Sequence, residues 1–115
     1  MKEMIMIIRP EKLETVKDIL KEFNCGGMTI STVMGCGEQK GFADTVNTIK
    51  GAKTNINLLP KVEVSAVMHN DKIEPVLLRI REELASDHIG DGKVFIRPVD
   101  TAIRIRTGER GEKAL

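Results

Sequence analysis

Three groups of residues have the types and spacing to recognise an anion. Gly35-Cys36-Gly37 and Gly90-Asp91-Gly92 are glycine turns, whose backbone N–H groups can approach a ligand as closely as a phosphate requires. Arg104 and Arg106 alternate with Ile103 and Ile105; on a strand both would project to one side and offer two guanidinium forks to phosphate oxygens. An ordinary turn is the competing reading of each glycine pair, and a solvated face that of the arginines. Neither glycine group has the spacing and following helix of a Walker loop or a dinucleotide fingerprint. His69 and His88 stand alone in sequence, and no carboxylate pair or Ser/Cys-His constellation stands out, so both histidines are expected in surface or strand-end roles. Anion recognition without acid–base machinery points to a sensor rather than a catalyst, and no catalytic residue is assigned.

Composition narrows the partners of such a site. At 115 residues the chain is one domain, 1–115, long enough to bury roughly two-thirds of the surface its unfolded form exposes. A net charge of +1 gives no general pull toward nucleic acid or anionic lipid, and three Phe with no Tyr or Trp leave no stacking platform for single strands. No nucleic-acid partner and no membrane insertion are therefore expected. No apolar run approaches a membrane span and no secretory leader is apparent, so a cytoplasmic location is the expectation. Cys25 and Cys36 lie too far apart for a Cys-x-x-Cys pair and read as reduced bystanders, with redox sensing a minor alternative for Cys36 between its two glycines.

The elements that must position these residues follow from periodicity. Met4 to Ile8 is a continuous apolar run, short enough for a strand buried on both faces and stopped by Arg9-Pro10. Leu13, Val16, Ile19, Leu20 and Phe23 recur at helical spacing, and Gly26-Gly27 is expected to end that helix. Met28 to Met34 alternates as a second strand; Val62 to Met68 is a third, with Pro60 at its first position. Asp71 and Glu74 have capping-box spacing for a second helix, with Pro75 in its first turn and Ile73, Val76, Leu77, Ile80 and Leu84 as its buried stripe. Lys93 to Ile96 is a fourth strand, and Ile103 to Arg106 a further short extended stretch.

Strand, helix, strand, strand, helix, strand is the order of an α+β ferredoxin-like βαββαβ sandwich: a four-stranded antiparallel sheet with two helices on one face. The open face is substantially apolar and needs cover, for which self-association is the plausible source. Between Gly37 and Asn57 no apolar period of either kind survives, and a connection of that length is expected to stay mobile until a ligand or partner orders it.

Taken together the residues resemble the PII family of nitrogen-regulatory signal-transduction proteins (GlnB/GlnK-like). The resemblance covers essentially the whole chain. It rests on Ile-Ile-Arg-Pro-Glu-Lys-Leu at 7 to 13, Gly-Met-Thr at 27 to 29, Gly-Cys-Gly-Glu-Gln-Lys-Gly at 35 to 41, Leu-Pro-Lys-Val at 59 to 62, Ile-Gly-Asp-Gly-Lys-Val-Phe at 89 to 95 and Arg-Ile-Arg-Thr-Gly-Glu at 104 to 109. It implies a homotrimer with nucleotide sites in the clefts between subunits, a long loop at about 37–57, a nucleotide-binding turn at 86–93 and a C-terminal segment at 104–115.

By that resemblance ATP or ADP would meet Thr29, Gly35, Gly37, Glu38, Gln39, Val67, Gly90, Asp91, Gly92 and Lys93, with Arg104 and Arg106 supplied by the neighbour. 2-Oxoglutarate would meet Gln39, Lys40, Gly41, Lys61 and Gly90, and Gln39 would help hold the Mg²⁺ that bridges it to ATP. A 2-oxo acid chelates a hard cation through carboxylate and keto oxygens, and a lysine suits its distal carboxylate. The ligands would set the loop, and the loop would regulate a target such as an ammonium channel, glutamine synthetase or a nitrogenase-related protein, an ammonium channel implying recruitment to the membrane. The alternatives are a slow ATPase in the same cleft, supported by Lys93, and a ligand-free trimeric assembly module.

The sequence departs from the family pattern at three places. Lys50-Gly51-Ala52-Lys53-Thr54 puts Thr54 where many members carry a modifiable tyrosine, and Ala52 where some carry a serine, so nucleotidylylation of a loop tyrosine is excluded. Ser86-Asp87-His88 replaces Thr-Gly-Lys before the Ile-Gly-Asp-Gly turn. Glu38 stands where many relatives place a basic or neutral side chain, and a carboxylate there would repel a triphosphate unless it turns away or helps bind metal. Glu38→Arg is expected to tighten ATP binding measured by calorimetry; an unchanged affinity would contradict that expectation.

Overall fold

Five consecutive apolar residues open the chain, yet only every second one is buried. The computed structural model describes residues 1–25, 27–36, 47–48, 55–56 and 58–115. In strand β1 (Lys2–Ile8), Met4, Met6 and Ile8 enter the core while Ile5 and Ile7 stay partly exposed. Within one chain, then, the strand is covered on a single face and not on both. Helix α1 (Leu13–Glu22), preceded by a 3₁₀ turn at Pro10–Lys12, buries Val16, Ile19 and Leu20, with Leu13 and Phe23 packed at the margin. The remaining described elements are strands β2 (Thr29–Cys36), β3 (Asn47–Thr48), β4 (Asn55–Ile56), β5 (Leu58–Met68) and β6 (Gly92–Pro98), and helix α2 (Ile73–Leu84).

The main sheet runs β2-β5-β1-β6, every pair antiparallel, so the two strands that precede the helices lie side by side at its centre. Val62, Val64, Ala66 and Met68 of β5 join Met4, Met6 and Ile8, and the stripes of both helices close over them as one core. This is the ferredoxin-like sandwich expected from the order of elements. The helices are also tied on their outer side, where Arg79 of α2 sets two guanidinium nitrogens on the Glu22 carboxylate of α1 at 3.2 and 3.4 Å.

Local chemistry differs from the sequence expectations at five places. Asn24, just past the Phe23 C-cap of α1 and in the left-handed region at φ 58, terminates the helix ahead of Gly26-Gly27 in the sequence. The N–H of Asn24 donates to Lys21 O at 3.1 Å and that of Cys25 to Leu20 O at 2.7 Å, the two bonds of a Schellman cap, and buried Cys25 supplies its apolar contact with Leu20. Asp71 and Glu74 form no capping box. Residues Asn70–Lys72 make a 3₁₀ turn capped by His69 with no side-chain bond, which places Asp71 inside the turn, where it cannot cap. Pro75 does fall in the first turn of α2. Pro60 is not the first residue of its strand: β5 begins at Leu58 and pairs there only with β2, leaving an unpaired side that tolerates the missing donor. Within the stretch expected to be irregular, Asn47 and Thr48 pair with Ile56 and Asn55, a ladder of backbone bonds that needs no apolar alternation.

The segment Ile103–Arg106 is not a strand. A single bridge joins Ile103 to Arg110, and the chain reverses between them, Gly108 N–H donating to Arg104 O at 2.7 Å and Arg104 N–H to Glu109 O at 2.9 Å. Thr107-Gly108 makes the reversal: Thr107 Oγ1 accepts from Glu109 N–H at 3.2 Å, and Gly108 holds φ 75.

The cap gives a direct test. Asn24→Ala is expected to cost about 1 kcal/mol in urea denaturation, because alanine has no means of relieving the left-handed backbone, whereas Asn24→Gly should be neutral or slightly stabilising. Equal losses in both would show that the asparagine side chain, and not its φ, supports the helix end.

Candidate functional site

At one end of the sheet β1, β5 and β6 place three chain segments side by side. Ile8 pairs with Val62 on one side and Gly92 on the other, so Arg9, Lys61 and Asp91 lie just beyond the last paired rung. Lys61 is only 8% exposed; its ammonium donates to Gly90 O at 2.7 Å. Its stem can lie there because residue 35 is glycine, where a Cβ would press to 3.1 Å from Lys61 Cγ. Burial first, and then the nearby Arg9 guanidinium, push the Lys61 ammonium below the usual lysine range, with Glu11 and Asp91 opposing. A buried ammonium that is costly to keep charged is a favourable seat for a carboxylate.

The turn at 86–91 is closed internally. Ser86 N–H and Ser86 Oγ each donate to the Asp91 carboxylate at 2.6 Å, and His88 N–H donates to Ser86 Oγ at 3.1 Å. These bonds, the Ser86 hydroxyl foremost, hold the Asp91 carboxyl below the usual carboxylate range. Gly90 and Gly92 have φ 105 and 115. At Gly92 the absence of a side chain is required by the fold, since a Cβ would overlap the carbonyl of Ile7. Lys93, the second residue of β6, follows the turn and is exposed.

The other end of the sheet holds a second cluster. A cavity of about 550 Å³ is lined by Thr29, Val67, Ser65, Asn24, Ala114 and Leu115, among others. Arg104 reaches the same place, its Nη2 donating to Leu115 O at 3.1 Å and Ala114 O at 3.5 Å. Arg106 is exposed on the Thr107 turn. The expectation that these two arginines share one side of a strand is therefore corrected. The glycine–threonine reversal that follows them takes Arg104 to the carbonyls of the last residues and leaves Arg106 outside.

Gly35, Lys61, Gly90, Asp91, Gly92 and Lys93 thus gather at one end, and Thr29, Val67 and Arg104 at the other. Thr29 and Gly35 are six residues apart on β2, about 20 Å along an extended strand. Gly37, Glu38, Gln39, Lys40 and Gly41, expected at the same site, lie outside the described residues, as does Thr54. Two residues of the first cluster make contacts that sequence reasoning did not find. Ser86 has a signal in its place five residues before an aspartate across a glycine turn; Arg9 read only as the stop of a strand. Among the described residues no group of three His, Cys, Asp or Glu side chains could hold a metal ion, and no helix is long and apolar enough to cross a membrane.

A ferredoxin-like domain with an anion-suited turn at the end of its central strands is the class these observations define. The family described as Nitrogen regulatory protein P-II matches residues 1–109. Over its full 115 residues the chain is 44% identical to a Nitrogen regulatory protein P-II 2 of Methanothermobacter thermautotrophicus, covering 97% of that protein. It is 42% identical to a Nitrogen regulatory protein P-II of Cereibacter sphaeroides and 38% identical to Nitrogen regulatory protein GlnK of Escherichia coli K12, in each case across all of both chains. The chain belongs to the P-II family of nitrogen regulatory proteins.

The clasp on Asp91 makes its contribution dependent on pH. A folded-state pKa below the ordinary value gives stability that is fully present above the ordinary carboxylate range and is lost as pH falls through the folded pKa. Asp91→Ala is expected to cost about 1–2 kcal/mol near neutral pH, a gap that narrows on acidification below the ordinary carboxylate range in parallel denaturation curves. A gap that does not vary with pH would contradict the clasp.

Proposed function

We propose that this chain is a non-catalytic sensor of nitrogen and energy status. In this reading it binds ATP or ADP, and 2-oxoglutarate with Mg²⁺, in clefts between the subunits of a homotrimer, and regulates a target protein through the loop at about 37–57. The observation that carries it is the separation of the two clusters: one chain holds an anion-suited turn and a cavity at opposite ends of one sheet, and a second copy can bring them face to face. Exposed apolar residues on the edge strands support the assembly, with Met34 on β2 58% and Phe95 on β6 53% exposed.

In such a cleft the backbone of Gly90–Lys93 and the Lys93 ammonium would take the phosphates of one nucleotide, and Arg104 and Arg106 of the next copy would add charge. Thr29 and Val67 of that copy would take the base. Lys61 would exchange the Gly90 carbonyl for the distal carboxylate of the oxo acid. Gln39 would help hold Mg²⁺, which would supply a hard cationic centre for the oxygens of both ligands.

Among the described residues turnover has no evident base. Asp91, the carboxylate of the turn, accepts from Ser86 through both oxygens and is held ionised, which makes it a weak proton acceptor. The relatives are named as regulatory proteins, and nitrogen regulation is what their names state. Switching then follows from linkage: a target that binds one loop state is governed by whichever ligand holds that state. An ammonium channel, glutamine synthetase or a nitrogenase-related protein is the kind of target this implies. The chain would act in the cytoplasm and reach the membrane when its target is a channel.

Titration of 2-oxoglutarate with and without Mg-ATP tests this reading. Binding of the oxo acid is expected only with Mg-ATP, and saturating nucleotide at about a hundred times its Kd should stabilise the protein by about 2.7 kcal/mol. Lys61→Met should lose at least about tenfold in affinity for the oxo acid and keep its nucleotide affinity. Protein that takes up neither ligand would overturn the sensor and leave the assembly module; steady phosphate release from ATP would favour the ATPase.

A further inference from the structure

Two cations grip successive carbonyls of the phosphate-side turn, and their chemistry differs. Lys61 donates to Gly90 O at 2.7 Å through an ammonium, a point charge on a flexible stem that can change partner by rotating. Arg9 donates through Nη2 to Ile89 O at 2.8 Å and sets Nε 3.8 Å from Asp91 Oδ1, so its planar fork spans the turn from carbonyl to carboxylate. The Arg9 side chain is 24% exposed.

Its backbone is fixed as well. It directly follows Ile8, which is paired on both sides, with Val62 and with Gly92. Asp91 passes the restraint on, because its two oxygens also hold the N–H and hydroxyl of Ser86. Thus Arg9, Asp91 and Ser86 form one chain of contacts from the central strand to the far end of the turn, and Lys61 is not a member of it.

We propose that Arg9 is the positioning residue of this turn. Its guanidinium holds Ile89 to Asp91 in place, so that Lys61 can leave the Gly90 carbonyl for an acidic ligand while the turn keeps the shape that receives phosphate. The two grips divide the work: the lysine responds to the ligand, and the arginine keeps the turn from following it. The assignment rests on the nucleotide reading above only for its ligand consequence; the restraint itself belongs to the free protein.

Hydrogen exchange on the ligand-free protein, followed in peptides that cover 86–92, tests the restraint. Arg9→Met is expected to raise exchange there about tenfold with protection in β1 and β5 unchanged, and Arg9→Lys should not rescue it, because an ammonium lacks the fork. With Mg-ATP as the probe, both variants should lose about tenfold in affinity, whereas Lys61→Met should lose only the response to 2-oxoglutarate. Combining Arg9→Met with Ser86→Ala should add little to either single change, since both break one chain of contacts. Unchanged exchange in Arg9→Met, or full rescue by Arg9→Lys, would overturn the proposal. Should the wild-type protein bind no nucleotide, the sensor reading fails while the exchange experiment still decides the role of Arg9.

Discussion

Residue 92 has no room for a side chain: a Cβ there would collide with the carbonyl of Ile7 on the neighbouring strand, and the backbone stands at φ 115. This close approach fixes where β6 begins, because the rung between Ile8 and Gly92 is the last before both strands leave the sheet. The site depends on that rung. It sets Asp91 beside Arg9, Arg9 beside Lys61, and the carbonyls of Ile89 and Gly90 within reach of both cations. Gly35 plays the complementary part on β2, where a bare backbone lets the Lys61 stem cross toward the turn. Each glycine thus serves the site by what it lets approach: at 92 a strand, at 35 the Lys61 side chain.

The same sheet leaves apolar edges uncovered in a single chain. Its central strands bury one face beneath the helices, but the edge strands keep apolar side chains in solvent, among them Ile30 and Met34 of β2 and Phe95 and Ile96 of β6. Such edges are a liability unless another chain covers them. The cavity by Thr29 and Val67 lies at the end of β2 remote from the turn, and Arg104 is turned toward it. The turn and the cavity thus lie at opposite ends of one sheet in a single chain.

The sequence was most legible where the core imposes a period. Helix stripes, strand order and the glycine turn before β6 could all be read, because burial repeats every two or 3.6 residues and leaves a mark in composition. It was least legible where hydrogen bonds between distant segments decide. Nothing local marks Asn24 as the helix end when two glycines follow it. The alternation of Ile103 to Arg106 resembled a strand until Thr107-Gly108 reversed the chain. Arg9 is invisible as a site residue because its partners lie 80 residues away. The glycine turn at Gly90 could be read from the residues and the resemblance supplied Lys61 and Lys93, whereas the grip of Arg9 and the Ser86 clasp emerged only from the packed structure.

Mixing defective copies tests most directly whether the two halves of the proposed binding site lie on different copies. Lys93→Ala would spoil the turn half and Arg104→Ala the cavity half, so neither variant alone should bind ATP well. Co-refolded mixtures are expected to regain wild-type affinity at a fraction of their sites, those that pair an intact turn with an intact cavity. Mixtures that bind no better than the two variants apart would place both halves on one chain and contradict the account.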